Sequence, residues 1–285
     1  MTTDKQAFDG GVAVITGAGS GIGSGLARRA GELGMTVVVT DISPDRAQGV
    51  ADEIKAKGGK AEALVVNVAQ PSELDRLARQ VHDAFGDVRL LVNNAGIETI
   101  GFTWEIPVER WEATLNINIH GVVHGVRAFA PYMLEAGKEA WIANLASVGA
   151  FSVMPTQTAY IMTKHAVQSF TECLYLEMQL KQAPIHVSSI MPGMLKTSIF
   201  EADAGKGEPA DASAHRKAMF NLMTNYGMDL DEGCKLILEQ VAAGKFWVST
   251  QPEMTHAAVD GRIRFFRDQS PPFLADEAKQ LLGID

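Results

Sequence analysis

Short apolar runs alternate with longer amphipathic ones over most of the chain. The runs at 11–16 (GVAVIT), 35–40 (MTVVVT), 61–68, 88–92, 140–145 and 185–191 are brief and almost wholly apolar, as expected of strands buried on both faces. Between them, 22–33, 44–57, 71–85, 108–135 and 158–180 carry helical periodicity, with Pro44 and Pro71 at two of the starts. Strand and helix in regular turn predict right-handed crossovers, and hence a doubly wound α/β sheet with helices on both faces. Such sheets bind ligands beyond the carboxyl ends of their strands.

The pattern breaks at 198–226, a stretch rich in Ala, Glu, Asp and Met with no strand-like run. It is expected to be a substrate-loop insertion within one domain spanning 8–285. A helix at 229–243 and a strand at 246–249 resume the alternation, giving about seven strands, and the tail after Gln251 is amphipathic.

Composition narrows the function. At 285 residues, 46% hydrophobic and 21% charged, the chain has the profile of a globular protein with a substantial core. A formal net charge of -9 disfavours nucleic acid and anionic membrane as partners. Cys173 and Cys234 are far apart and lack C-x-x-C spacing, so neither a disulfide framework nor a thiolate metal site is expected. With no signal-peptide pattern and no run long enough to span a bilayer, a cytoplasmic location is expected.

Two stretches carry chemistry. TGAGSGIG (Thr16 to Gly23) joins the first strand to a helix, and its Gly17, Gly21 and Gly23 suit the close approach of a pyrophosphate to a helix N-terminus. Asp41 ends the second strand, where a carboxylate accepts hydrogen bonds from an adenosine ribose and repels a ribose phosphate. With Ile42 following and no basic residue evident, NAD is expected in preference to NADP. The second stretch is AYIMTKH, in which Tyr160 and Lys164 share a helix face. Lowering a tyrosine by about three units takes roughly 4 kcal/mol, which one cation at ~4 Å supplies at an effective dielectric of about 20. The pair therefore suits a general acid/base near neutral pH.

With TGAGSGIG, NNAG at Asn93 to Gly96 and YIMTK at Tyr160 to Lys164 in this order, the sequence resembles the short-chain dehydrogenase/reductase family. Asn118 in NINIHG, Ser147 thirteen residues before Tyr160, Pro192-Gly193 and Thr197 extend the resemblance. It implies a Rossmann-type fold and an NAD-dependent oxidation of CH–OH groups. In that picture Tyr160 is the acid/base, Lys164 binds the nicotinamide ribose and lowers the Tyr160 pKa, Ser147 holds the substrate oxygen, and Asn118 holds a water leading to Lys164. Cofactor contacts are implied for Gly17, Ser20, Gly21, Ile22, Gly23, Asp41, Asn67, Val68, Asn94, Ala95, Gly96, Tyr160, Lys164, Pro192, Gly193, Leu195 and Thr197. Asn67 stands where the family more often has Asp, yet its side-chain oxygen can still accept a hydrogen bond.

Substrate contacts are expected from Glu98, Val148, Gly149, Gln157 and Met194, with Ile97, Phe151 and Val153 close by. Phe200, Met219, Phe220, Met223 and Tyr226 in the insertion, with Phe102 and Trp104, suit either a bulky apolar alcohol or the packing of a lid. His120 and His124 have metal-binding spacing without a third ligand, so no metal is expected. Apolar residues on several sides of the helices at 108–135 and 158–180, including Val122, Val126, Phe129, Phe170, Leu174 and Leu176, suggest a homodimer or homotetramer. The leading reading is an NAD-dependent secondary alcohol dehydrogenase or ketone reductase. The alternatives are an NADP-dependent carbonyl reductase and a dinucleotide-sensing scaffold without turnover.

Overall fold

In the chain order of the computed structural model, helix α1 (Asp4–Phe8) precedes β1 (Val12–Thr16), α2 (Gly21–Glu32), β2 (Thr36–Asp41), α3 (Pro44–Ala56), β3 (Lys60–Val65), α4 (Pro71–Phe85) and β4 (Val88–Asn93). Then come α5 (Val108–Leu115), a π-helical turn (Asn116–His120), α6 (Gly121–Ala136), β5 (Ala140–Leu145), a 3-10 turn (Val148–Phe151), α7 (Thr158–Leu180) and β6 (Ile185–Met191). The remainder is α8 (Ala212–Tyr226), α9 (Leu230–Ala242), β7 (Trp247–Ser249) and α10 (Pro252–Asp268). The structure describes residues 3–201, 205–210 and 212–274, with 276 and 279.

The seven strands lie in the order β3-β2-β1-β4-β5-β6-β7, and every pairing is parallel. Alternate residues of one strand feed opposite core layers, because successive side chains leave a sheet on opposite faces. Ala13 and Ile15 pack with Leu26, Val37 and Ile237 on one face. Val12 and Val14 pack with Val38, Leu74 and Phe129 on the other. The strand order reverses between β1 and β4, so the carboxyl ends of these two strands open the crevice that such topologies use for ligands.

Local chemistry sets several boundaries. Ser43 accepts from Arg46 N to start α3, and Asp229 accepts from the backbone N–H groups of Asp231 and Glu232 to start α9. The expected strand at 61–68 ends instead at Val65, although Val66 N still donates to Asp41 O. The expected helix at 108–135 is interrupted by the π-helical turn. The segment expected to be a loop is helical in its second half, as α8, and its residues 202–204 and 211 lie outside the described ones.

The oligomer expectation loses part of its support. Val122, Val126, Phe129 and Leu174 are buried within the chain itself, because α6 and α7 pack against the sheet and against neighbouring helices. Leu176 (62% exposed) and Leu180 (84%) remain apolar surface on α7. Among the described residues, no helix is long and apolar enough to cross a membrane.

Candidate active site

The turn after β1 is built for close approach. Gly17 has φ 63°, and a Cβ there would come within 2.7 Å of Ala95 Cα. A Cβ on Gly23 would lie 2.4 Å from both Asn94 Nδ2 and Gly17 O. Only glycine lets this turn touch the end of β4. Thr16 Oγ1 accepts from the backbone of Asn94 (3.0 Å) and Ala95 (3.1 Å), while Asn94 Nδ2 donates to Thr16 O (2.8 Å) and Gly17 O (3.1 Å). Asn94 and Ala95 are thus welded to the glycine turn.

These residues fit a dinucleotide. Ser20 begins α2 in extended conformation with no capping bond from its side chain, so its hydroxyl and the first N–H groups of this twelve-residue helix, at the turn after β1, are free to meet an anion. Asp41 supplies the carboxylate at the end of β2, accepting from Gly19 N (3.1 Å) and Ser43 N (2.9 Å). Contrary to the sequence expectation, a basic residue does stand here. Arg46 Nη2 lies 3.0 Å from Asp41 Oδ1, and its side chain is 54% exposed. The helical turn from Asp41 into α3 returns Arg46 to the carboxylate, a proximity that strand periodicity does not reveal. Asn67 Oδ1 accepts from Ala69 N (3.0 Å), which fixes its side chain and leaves the oxygen's second lone pair as an acceptor. Val68 is buried beneath Gly121, and Ile22 packs against the core.

Beyond the sheet, Tyr160 and Lys164 rise from α7 and Ser147 follows β5. Ser147 Oγ accepts from Gly149 N at 3.0 Å, and its hydroxyl pulls the Tyr160 phenol's pKa down. Lys164 Nζ donates to Leu145 O at 2.8 Å and lies 5.4 Å from the Tyr160 ring centre. A Cβ on Gly96 would be 3.8 Å from Lys164 Nζ and 3.5 Å from Asn118 Oδ1, so the NNAG turn borders the catalytic group. Asn118, on the π-helical turn, is fully buried. Its amide donates to Ile97 O (2.9 Å) and Thr163 Oγ1 (3.1 Å), and its oxygen accepts from Ile97 N (2.9 Å). The Asn118 side chain is a brace between the turn after β4 and α7. Thr163, which also donates to Tyr160 O (2.6 Å), completes that brace; its polar role was hidden in a position that pattern alone reads as core.

The electrostatics depart from the sequence estimate. Burial pushes the Tyr160 phenol up, Glu98 pushes it further, and only the Ser147 hydrogen bond pulls it down. Burial also lowers Lys164, to about 8, against the opposing influence of Glu98. Burial governs both groups: Lys164 gives its hydrogen bond to the Leu145 carbonyl and is not among the groups that shift the phenol. The free chain consequently holds Tyr160 protonated.

On the substrate side, Pro192 O accepts from Val148 N (3.2 Å) and Gly193 N donates to Thr250 Oγ1 (3.2 Å). Met194 O accepts from Met228 N and from Gln251 Nε2, each at 2.9 Å. Thr250 and Gln251 therefore fix the Pro192–Leu195 turn, a role for which their surroundings in the sequence carry no signal. Leu195 is buried, and Thr197 Oγ1 lies 3.5 Å from Met223 Sδ. Glu98 and Gln157 are both buried beside the catalytic group. Phe200, Met223, Ile100 and Ala212 form a cluster of their own, with Ile199 and Met219 against it, so these lid residues pack together. Trp104 and Tyr226 are exposed, and Phe102 stacks on Trp104 at 5.2 Å. The His120 and His124 rings lie 5.9 Å apart, and His120 Nδ1 pairs with Asn116 Oδ1 at 2.8 Å; among the described residues, no group of three His, Cys, Asp or Glu could hold a metal.

Comparison with known proteins agrees with this arrangement. Residues 11–206 match the family model for short chain dehydrogenases. A cyclohexanol dehydrogenase of Acinetobacter sp. is 37% identical over 193 residues, covering 67% of this chain and 76% of that protein. The crystal structure of a short chain dehydrogenase/reductase from Burkholderia phymatum in complex with NAD superposes with a TM-score of 0.88 at 32% identity, covering 94% of this chain and 98% of the other. A gluconate 5-dehydrogenase from Burkholderia cenocepacia, in complex with NADP and tartrate, gives a TM-score of 0.74 at 26% identity over 89% of this chain and 98% of the other. With the glycine turn, the NNAG turn and the Ser-Tyr-Lys group all at the carboxyl end of one parallel sheet, the chain belongs to the short-chain dehydrogenase/reductase family of oxidoreductases.

Proposed function

We propose that the protein is an NAD-dependent alcohol dehydrogenase, working as a ketone reductase in the reverse direction, on secondary alcohols with a bulky apolar frame, aromatic or alicyclic. The observation that carries this reading is the convergence of Ser147, Tyr160 and Lys164 beside the Gly96 turn, next to the glycine cradle. The similarity to a cyclohexanol dehydrogenase supports an alicyclic secondary alcohol, and the apolar lid supports a bulky one.

When bound, the dinucleotide supplies the hydride acceptor for oxidation and the hydride donor for reduction. Gly17, Ser20, Gly21 and Gly23 hold its pyrophosphate, Asp41 its adenosine ribose, and Asn94 to Gly96 with Pro192 to Thr197 its other end. Ser147 orients the substrate oxygen and stabilises charge on it. Tyr160 gives its proton to a ketone oxygen, or takes one from an alcohol. The protonated phenol of the free chain is the form ready for reduction. Lys164, braced on Leu145 O, supplies positive charge beside that exchange. Asn118 and Thr163 keep α7 in register with the turn after β4.

A second reading, use of NADP, is favoured by Arg46, whose exposed guanidinium could meet a ribose phosphate. Asp41 favours NAD because it already neutralises Arg46 and would repel that phosphate. A dimer or tetramer belongs to the same reading, supported by the exposed Leu176 and Leu180. So does a reducing, cytoplasmic setting, supported by two free thiols. The test is a panel of small, alicyclic and aromatic secondary alcohols assayed with NAD and with NADP. Faster turnover of bulky alcohols with NAD is expected, and a preference for small or polar alcohols, or for NADP, would contradict it.

A further inference from the structure

Thr156 breaks the local rule of its own turn. Gln157 N donates to Met154 O at 3.3 Å, closing a four-residue turn with Pro155 second and Thr156 third. Thr156 has φ 64°, and a positive φ at the third position of a turn with proline second is ordinarily supplied by glycine or asparagine. A β-branched residue seldom adopts it, and such a backbone persists only where its surroundings over-determine it.

The surroundings here form a closed circuit. Gly101 N, in the segment after β4, donates to Thr156 O at 2.8 Å. Thr156 Oγ1 shares a 2.5 Å hydrogen bond with His215 Nδ1, on the lid helix α8. Beside His215, Arg216 Nε donates to Glu208 Oε2 at 2.9 Å, and Glu208 Oε1 accepts from Ile100 N at 2.7 Å, which leads back to Gly101. Thr156, His215 and Arg216 are buried. Among the described residues, Thr156 is the one hydrogen-bond partner of the His215 ring, whose buried Nε2 has none. Burial and the adjacent Arg216 lower the His215 pKa, against Glu208, so the ring is neutral at pH 7.

This turn leads straight into α7. The N-cap of that helix, Gln157, makes no capping bond with its side chain, and Tyr160 lies in the first helical turn, four residues after Thr156. Where α7 starts therefore depends on the turn before it. We propose, on the reading that Tyr160 is the acid/base, that His215 is a positioning residue: from the lid, its bond to Thr156 Oγ1 holds Thr156 in the left-handed conformation and so sets the first turn of the catalytic helix, and with it the phenol. The Asn118–Thr163 contact braces the same helix farther along.

The test removes the bond from either side, with His215→Phe and with Thr156→Val. In each, kcat for oxidation of a secondary alcohol with NAD should fall by about tenfold, with KM and NADH affinity within about threefold of wild type. Thr156→Gly loses the same bond but takes a positive φ freely, so it should recover most of that loss and run about fivefold faster than Thr156→Val. Independently of turnover, amide hydrogen exchange of Gly101 and Ile161 in the free protein should quicken by about tenfold in His215→Phe, because these N–H groups donate to Thr156 O and Gln157 O. Unchanged kcat in folded His215→Phe and Thr156→Val, a Thr156→Gly as slow as Thr156→Val, or unmoved exchange in His215→Phe would each overturn the proposal. If His215→Phe does not fold, Thr156→Val against Thr156→Gly decides the matter in both assays. Undiminished turnover in Tyr160→Phe would instead remove the functional reading beneath it and leave the exchange result standing.

Discussion

Lys164 stands 5.4 Å from the centre of the Tyr160 ring but gives its hydrogen bond to the carbonyl of Leu145. The ammonium is thus near the phenol without touching its oxygen, and burial governs both groups. Tyr160 is raised and Lys164 is lowered to about 8.

Lys164→Met should separate stability from activity. The folded lysine sits at about 8 against an ordinary 10.5. Between those values the unfolded chain binds more protons, so this group's contribution to stability improves as pH rises; below about 8 its burial penalty is present in full. At neutral pH the variant should be more stable by on the order of 1–3 kcal/mol. Turnover should fall by about 100-fold or more. Chemical denaturation and steady-state kinetics on one preparation measure both.

The carboxyl of Glu98 gives the opposite slope. Its folded value of about 8 exceeds the ordinary 4.5. Its favourable contribution is therefore whole below 4.5 and is lost as pH rises toward 8, because the unfolded chain ionises first. Wild-type melting temperature should decline across that window more steeply than that of Glu98→Gln. Parallel profiles for the two proteins would contradict the burial-driven shift.

Thr163→Val keeps the shape of a fully buried side chain but removes the acceptor for Asn118 and the donor to Tyr160 O. The expected result is a loss in kcat of about tenfold with KM nearly unchanged, since ~1.4 kcal/mol of positioning is removed after binding. A change confined to KM would show that the brace serves binding instead.

Much of this site was legible from residue order. Buried apolar runs reported both core layers, and the glycine turn and NNAG turn proved to be in contact. Side-chain hydrogen bonding that spans distant elements was not legible. Arg46 returns to Asp41 only because α3 begins at Pro44, and Asn118 meets Ile97 and Thr163 only in the folded chain. The lid misled because α8 has little amphipathic contrast: it buries Ala212, His215, Arg216 and Met223, with the charged and polar members anchored on Glu208 and Thr156.

Cofactor choice turns on the Asp41–Arg46 pair. Thermal stabilisation of the wild type by NAD should exceed that by NADP at equal concentrations. Asp41→Ala, by freeing Arg46, should narrow or reverse that difference, and adding Arg46→Ala should diminish the protection by NADP. Stronger protection of the wild type by NADP would reverse the assignment of NAD.

The most direct measurement is the turnover of Tyr160→Phe beside its binding of NADH, followed by fluorescence titration. Removing one oxygen should cut oxidation of a secondary alcohol by about 100-fold or more while leaving NADH affinity within about threefold of wild type. Turnover at the wild-type rate would contradict the assignment of this phenol as the proton-transferring group.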